Sequence, residues 1–187
     1  RLTQLGIDTL IVDKHKRIGD NWRKRYHALT LHNQVHVNHM PYMPFPSTWP
    51  SYVPKDKLAN WFEAYVEALE LNYWPETELV HGSYDEVEQH WTVTLRSCDG
   101  PERELHPRDI IMATGVSGIA NRPNIPTLDE FQGRVVHSSE YQGGDDYTKK
   151  KAIVIGTGNS GHDIAQDLYS SGADVTMVQR SPTLVVN

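Results

Sequence analysis

The stretch from Val154 to Leu168, VIGTGNSGHDIAQDL, places Gly156, Gly158 and Gly161 at the spacing GxGxxG, behind an apolar run and ahead of a helical pattern. In a loop that carries the pyrophosphate of a dinucleotide, each glycine has its own task. The first allows the tight turn, the second lets backbone approach the ligand, and the third lets helix and strand pack closely. The free N–H groups of the helix start, where Asn159 and Ser160 lie, then face the phosphates. About 20 residues on, where a site for NAD carries an acid, this chain has Gln179, Arg180 and Ser181. A guanidinium and a hydroxyl at that point suit the 2′-phosphate of NADP. The other reading of Arg180 is a solvated surface charge.

Asp13 closes the apolar run Thr9 to Val12. An acid at the tip of such a strand accepts hydrogen bonds from ribose hydroxyls in a nucleotide-binding βαβ unit, although Asp13 read alone could equally end a surface strand. His32, His36 and His39 raise the question of a metal. No HExxH pattern and no nearby cysteine supports one, and Val35 and Val37 predict an extended segment rather than a helical ligand face, so no metal site is expected.

Several elements must position these residues. Gly6 is placed to stop a short helical end before the first apolar run. The proline-rich stretch Pro41 to Pro54 predicts a packed irregular loop. From Lys55 to Leu71, the residues Leu58, Trp61, Phe62, Tyr65, Val66 and Leu69 follow helical spacing and predict an amphipathic helix packed on the core. Between Glu76 and Asp109 the period becomes two, with Trp91, Val93 and Leu95 on one face and a turn at Asp99, Gly100 and Pro101, which predicts a small antiparallel meander. Ile110 to Met112 then predicts a short strand buried on both faces, ending in Ala113, Thr114 and Gly115. After the glycine loop, Ile164, Ala165 and Leu168 mark the inner face of the second helix, and ADVTMVQRS the strand after it.

Composition narrows the class further. The 187 residues are 38% hydrophobic and 22% charged, enough to bury a core. The net charge of −6 is spread out, and no Lys and Arg stripe offers a surface to nucleic acid. One cysteine, Cys98, can form neither a disulfide framework nor a CxxC pair within this chain, which fits a reducing cytoplasm. No apolar run reaches the roughly 18 residues of a spanning helix, and Arg1 opens no charged-then-apolar leader.

The order of motifs resembles the flavin-containing monooxygenases. Phe131, Gly133, His137 and Tyr141 fit that family's FxGxxxHxxxY pattern, and they lie between the ATG-ended segment and the GxGxxG, as in the family. GNSGHDIA is similar to the family's NADP loop, GDNWRKRY to its tryptophan segment beside the flavin, and LHNQ to the segment with its active-site asparagine.

The resemblance implies an α/β fold of two Rossmann-like dinucleotide-binding domains, both incomplete here. Residues 1–145 would form an FAD-binding domain carrying the meander, and residues 146–187 the start of an NADP-binding domain. Family members open with a GxGxxG for FAD, so the resemblance also implies an internal piece of a larger enzyme that lacks this first loop. The implied reaction uses NADPH to reduce FAD, which activates O₂ as a C4a-hydroperoxide and oxygenates a nitrogen or sulfur nucleophile of a small molecule. Asp13 and Trp22 would then bind FAD, Asn33 would hold the nicotinamide or the peroxide through its amide, and Thr114 and Gly115 would lie where the domains meet. His137, on the linker, is expected to make a structural hydrogen bond rather than act as a base. Three alternatives stay open: a Baeyer–Villiger monooxygenase, against which Tyr141 argues because that motif typically ends in tryptophan; a dithiol-type flavin reductase, which one cysteine cannot serve; and an inactive nucleotide-binding fragment.

Overall fold

A computed structural model describes residues 1–115 and 118–184 as an α/β arrangement of short sheets and helices. Strand β1 (Ile11–Val12) follows a single helical turn at Thr3–Leu5 that ends at Gly6. It pairs in parallel with β2 (Tyr73–Trp74). Between these two strands run the short helix α1 (Asp20–Arg23), the proline-rich loop and the long helix α2 (Lys55–Ala68). Leu58, Trp61 and Tyr65 form the buried stripe of α2, as their spacing predicts. They pack on Phe45 and Val53 from the loop, with Trp49 stacked on Phe45 at 4.9 Å and Trp61 edge-on to it at 4.7 Å. The loop is thus held by aromatic packing together with a few backbone bonds to the segment before it, the Leu31 amide donating to the Val53 carbonyl at 2.8 Å and the Val35 amide to the Ser51 carbonyl at 2.6 Å.

Ion pairs tie α1 to α2. The Arg23 guanidinium donates to Glu63 Oε2 at 2.8 Å, to Asn60 Oδ1 at 2.9 Å and to the Ile18 carbonyl at 2.6 Å. Arg17 grips the same Glu63 with two parallel hydrogen bonds, at 2.6 and 2.7 Å. Lys55 is buried yet satisfied, its Nζ donating to the Arg23 carbonyl at 2.9 Å and to Asp56 at 2.8 Å. A buried ammonium without such partners would be strongly destabilising.

The meander forms as the period-two pattern predicts. Strands β3 (Thr77–Asp85), β4 (His90–Ser97) and β5 (Arg103–Leu105) run antiparallel in that order, and Val93 and Leu95 are buried. The chain then reaches a βαβ unit made of β6 (Lys151–Ile155), α3 (Asn159–Ser170) and β7 (Asp174–Val178), with β6 and β7 in parallel register from Lys151 opposite Asp174 to Ile155 opposite Val178. Ile164 and Leu168 of α3 are buried against Ala152, Val154 and Val175 of the two strands.

Two expectations fail locally. Residues Ile110 to Met112 form no strand, and Ile111 and Met112 are 72% and 67% exposed. A strand buried on both faces needs partners on its edges, and among the described residues none pairs with this segment. Residues Val35–Val37 form a 3₁₀ turn rather than an extended segment. The Asn38 side chain donates to the carbonyls of Asn33 and Gln34 and so stabilises a turn where alternation alone suggests a strand. Among the described residues, no helix is long and apolar enough to cross a membrane.

The clamp on Glu63 has a pH signature. The Arg17 hydrogen bonds, with the Arg23 charge adding to them, outweigh partial burial and hold this carboxyl below its ordinary value of 4.5. A lowered folded value means that the stabilisation is complete above the ordinary value and is lost as pH falls through the folded one. Denaturant unfolding between pH 6 and pH 3 is therefore expected to show a shallower acid loss in Glu63→Gln, by under about 1 kcal/mol because the pair is partly exposed. Identical acid slopes in both proteins would contradict the clamp.

Candidate functional site

The glycine loop is built as a cradle. The Gly156 amide still donates to the Val178 carbonyl, at 2.9 Å, so the turn begins where β6 remains paired. Gly156 takes φ +116°, a conformation closed to ordinary side chains. A Cβ on Gly161 would lie 2.6 Å from the Gly156 carbonyl oxygen, so only glycine lets the first turn of α3 cross the strand end at this height. A Cβ on Gly158, the N-cap of α3, would meet nothing within 4 Å, which leaves open space in front of the helix start. No acidic residue occupies the first turn to consume its free N–H groups. A tight turn, a close crossing and an open mouth at a helix N-terminus fit a dinucleotide pyrophosphate. Arg180 and Ser181 lie exposed just past the end of β7, and Arg180 makes no ion pair among the described residues.

The helix that carries the loop is fastened to the first part of the chain by two carboxylates one turn apart. Tyr26 donates its hydroxyl to Asp163 Oδ2 at 2.6 Å, and Tyr141 donates to Asp167 Oδ2 at 2.6 Å. Both tyrosines are buried, in one cluster with Leu29, Ile164, Leu168 and Ala173. Burial first, and then the accepting carboxylate, pushes each hydroxyl well above the usual phenol range. The His27 amide adds a bond of 2.8 Å to the Gln142 carbonyl. His32 contacts the same helix twice, with Nε2 at 2.9 Å from Asp163 Oδ2 and Nδ1 at 3.1 Å from Asn159 Nδ2.

Beside this junction opens a cavity of about 380 Å³. Trp22, Asn33 and Asn159, three residues singled out in the sequence, line it together with Phe45, Phe62 and Met40. His32 is its sole titratable lining residue. Trp22 packs against both hydrophobic clusters at once and so forms the wall between them. The backbone carbonyl of Asn33 accepts from Asn38, and its exposed side chain makes no hydrogen bond among the described residues. An amide free at the rim of a cavity with aromatic and amide walls can orient a polar heterocycle without supplying a strongly acidic proton.

The other sequence candidates lie outside the cavity. Asp13 ends β1, with Oδ1 at 2.8 Å from the His15 amide and 2.7 Å from His15 Nδ1. Burial, followed by the charge and hydrogen bond of Asp13, pushes the neighbouring Tyr73 hydroxyl up to about 12. Thr114 and Gly115 are exposed, with Gly115 at φ +75°. His137 makes a local bond, its Nδ1 lying 2.8 Å from Ser139 Oγ and 3.2 Å from the Ser139 amide. His39 Nδ1 accepts from the Phe45 amide at 3.2 Å. Sequence reasoning missed Tyr26, His32, Asp163 and Asp167 as a junction. The signal was a pair of acids at i and i+4, beside the apolar stripe of an otherwise amphipathic helix.

Residues 1–186 match the family described as pyridine nucleotide-disulphide oxidoreductase. The chain belongs to that family. Within it, the chain is 33% identical over 187 residues to a probable indole-3-pyruvate monooxygenase from Arabidopsis thaliana, a match covering 99% of this chain and 49% of that protein. Its fold superposes on a flavin-containing monooxygenase from Stenotrophomonas maltophilia with a TM-score of 0.85 at 25% identity, over 97% of this chain and 53% of the other. Cyclohexanone monooxygenase gives 0.77 at 25% identity, over 97% and 36%. The resemblance to flavin monooxygenases read from the motifs is therefore borne out, and this member of the pyridine nucleotide-disulphide oxidoreductases spans about half the length of the relatives it matches. Its single cysteine, Cys98, is exposed and offers no dithiol pair within the chain.

The tyrosine junction predicts alkaline lability. A raised folded value means that stabilisation is complete below the ordinary phenol value of 10.0 and is lost as pH climbs from there toward the folded value. Tyr141→Phe is expected to cost about 1.5–3 kcal/mol at pH 7, the loss of one bond to a charged acceptor, and to lose less stability than the parent between pH 9 and pH 11. Urea melts at both pH values read this out; an equal alkaline loss would contradict it.

Proposed function

We propose that this chain forms the cofactor-holding part of an FAD- and NADPH-dependent monooxygenase that oxygenates a nucleophilic nitrogen or sulfur of a small molecule. The observation that carries this reading is the glycine cradle of α3, whose first residue, Asn159, shares a cavity with Trp22 and Asn33. The flavin-monooxygenase relatives support the same chemistry. When bound, the two cofactors together supply the electrons and the activated dioxygen.

Everything else falls to this chain's own residues. Gly156, Gly158 and Gly161, with the N–H groups at Asn159 and Ser160, hold the NADP pyrophosphate, while Arg180 and Ser181 grip its 2′-phosphate. Asp13 and Trp22 would bind FAD, Asp13 through its ribose hydroxyls. Asn33 orients the reacting groups through its amide, and the aromatic walls of Phe45 and Phe62 keep water out. Thr114 and Gly115 carry the chain from an FAD unit, residues 1–145, toward an NADP unit, residues 146–187. The cytoplasm is the proposed setting, on the ground of cysteine usage. The relationship to cyclohexanone monooxygenase keeps a Baeyer–Villiger outcome as the second reading; an ester formed from a ketone substrate would select it.

Arg180 tests the cofactor choice in the complete protein. A bond to a charged group is worth roughly 1.5–3 kcal/mol, so Arg180→Ala is expected to weaken NADPH about 10- to 150-fold and leave NADH within a few-fold. Lys at this position should restore part of the loss, since it keeps the charge without the planar fork. Equal weakening of both nucleotides, read by fluorescence titration, would remove the NADP assignment.

A further inference from the structure

Asn159 and Asp163 stand at i and i+4, on one side of the first turn of α3, and His32 reaches both with one ring. The chemistry of the partners sets the direction of each bond. A carboxylate oxygen accepts, so Nε2–H donates to Asp163; an amide nitrogen donates, so Nδ1 accepts from Asn159. Neutral imidazole offers one donor and one acceptor, and both are used. Tyr26 donates to the same Asp163 oxygen, at 2.6 Å, which fixes the carboxylate against which His32 is set.

Asn159 directly follows Gly158, where the space in front of the helix is open. From the first helical position, just behind the N-cap Gly158, an asparagine side chain can still bond a nearby backbone N–H of the first turn. The bond to His32 holds the Asn159 amide toward the cavity instead, on the side lined by Asn33. We propose that His32 is a positioning residue for nucleotide binding: it tethers Asn159 and so leaves the N–H groups of the α3 start free for a dinucleotide phosphate. This rests on the reading of the glycine loop as the NADP site. It gives a role to the histidine beside Asn33, acting through Asn159.

The test measures NADP⁺ affinity by calorimetry in the complete, flavin-loaded protein, with flavin content and thermal midpoint recorded for each variant. His32→Ala is expected to weaken NADP⁺ roughly three- to tenfold, the loss of one ordinary hydrogen bond, at unchanged flavin content. His32→Lys, which can still pair with Asp163 but cannot accept from Asn159, should show the same loss; His32→Gln, able to do both, should bind as the parent does. In an Asn159→Ala background the His32→Ala effect should vanish, because no amide is left to tether. A purely structural His32 would instead give additive losses, spare affinity in His32→Lys, or move the thermal midpoint without moving NADP⁺ affinity, and any of these overturns the proposal. Absent NADP⁺ binding in the parent would overturn the glycine-loop reading and this proposal with it, whereas intact parent binding with an unaffected His32→Ala would overturn this proposal alone.

Discussion

Asp163 and Asp167 each accept the hydroxyl of a buried tyrosine that comes from outside the β6–α3–β7 unit. The remaining contacts at the site depend on these two bonds. Tyr26 seats α3 against the segment that runs from Trp22 to Asn33 and Tyr141 seats it against the segment ahead of β6, and the apolar residues around them close into one cluster shared by both parts of the chain. Phenol to carboxylate is a strong pairing in such surroundings, because the acceptor is charged and the donor has little water to turn to. The price is directional: neither tyrosine can ionise without meeting an anion, which is why both hydroxyls resist deprotonation.

From that junction the site follows by geometry. The glycine loop is rigid for local reasons, a turn that needs φ +116° at Gly156 and a crossing that admits no Cβ at Gly161. Its direction, however, is set by where α3 lies. With α3 seated, Asn159 faces the cavity that Trp22 walls and Asn33 edges. Trp22 is in turn placed by α1, and α1 by the Arg17, Arg23 and Glu63 clamp on α2. A path of ion pairs and aromatic packing thus runs from the long helix to the mouth of the glycine loop.

What could be read in the sequence is what short-range rules control. The α2 stripe, the meander, the βαβ unit and the glycine turn each announce themselves within a window of some twenty residues, and each is present. The tyrosine junction was not legible, because Tyr26 and Asp163 are 137 residues apart and nothing local distinguishes a docking tyrosine from a core one. Tyr141 belongs to a legible motif, but nothing local points to its bond with Asp167, 26 residues on. The two local failures have different causes. Apolar Ile110 to Met112 has the pattern of a buried strand without a partner to pair with, and Val35 and Val37 alternate like a strand while Asn38 side-chain bonds fold them into a turn.

The glycine loop and the segment carrying Tyr26, His32 and Asn33 form one joined site. Amide hydrogen exchange of the complete, flavin-loaded protein, with and without NADP⁺, addresses it directly. Protection on binding is expected at residues 156–163 and, through the Asp163 and Asn159 contacts, also across residues 26–33. Protection confined to the loop, with residues 26–33 exchanging as before, or none at the loop at all, would contradict the account.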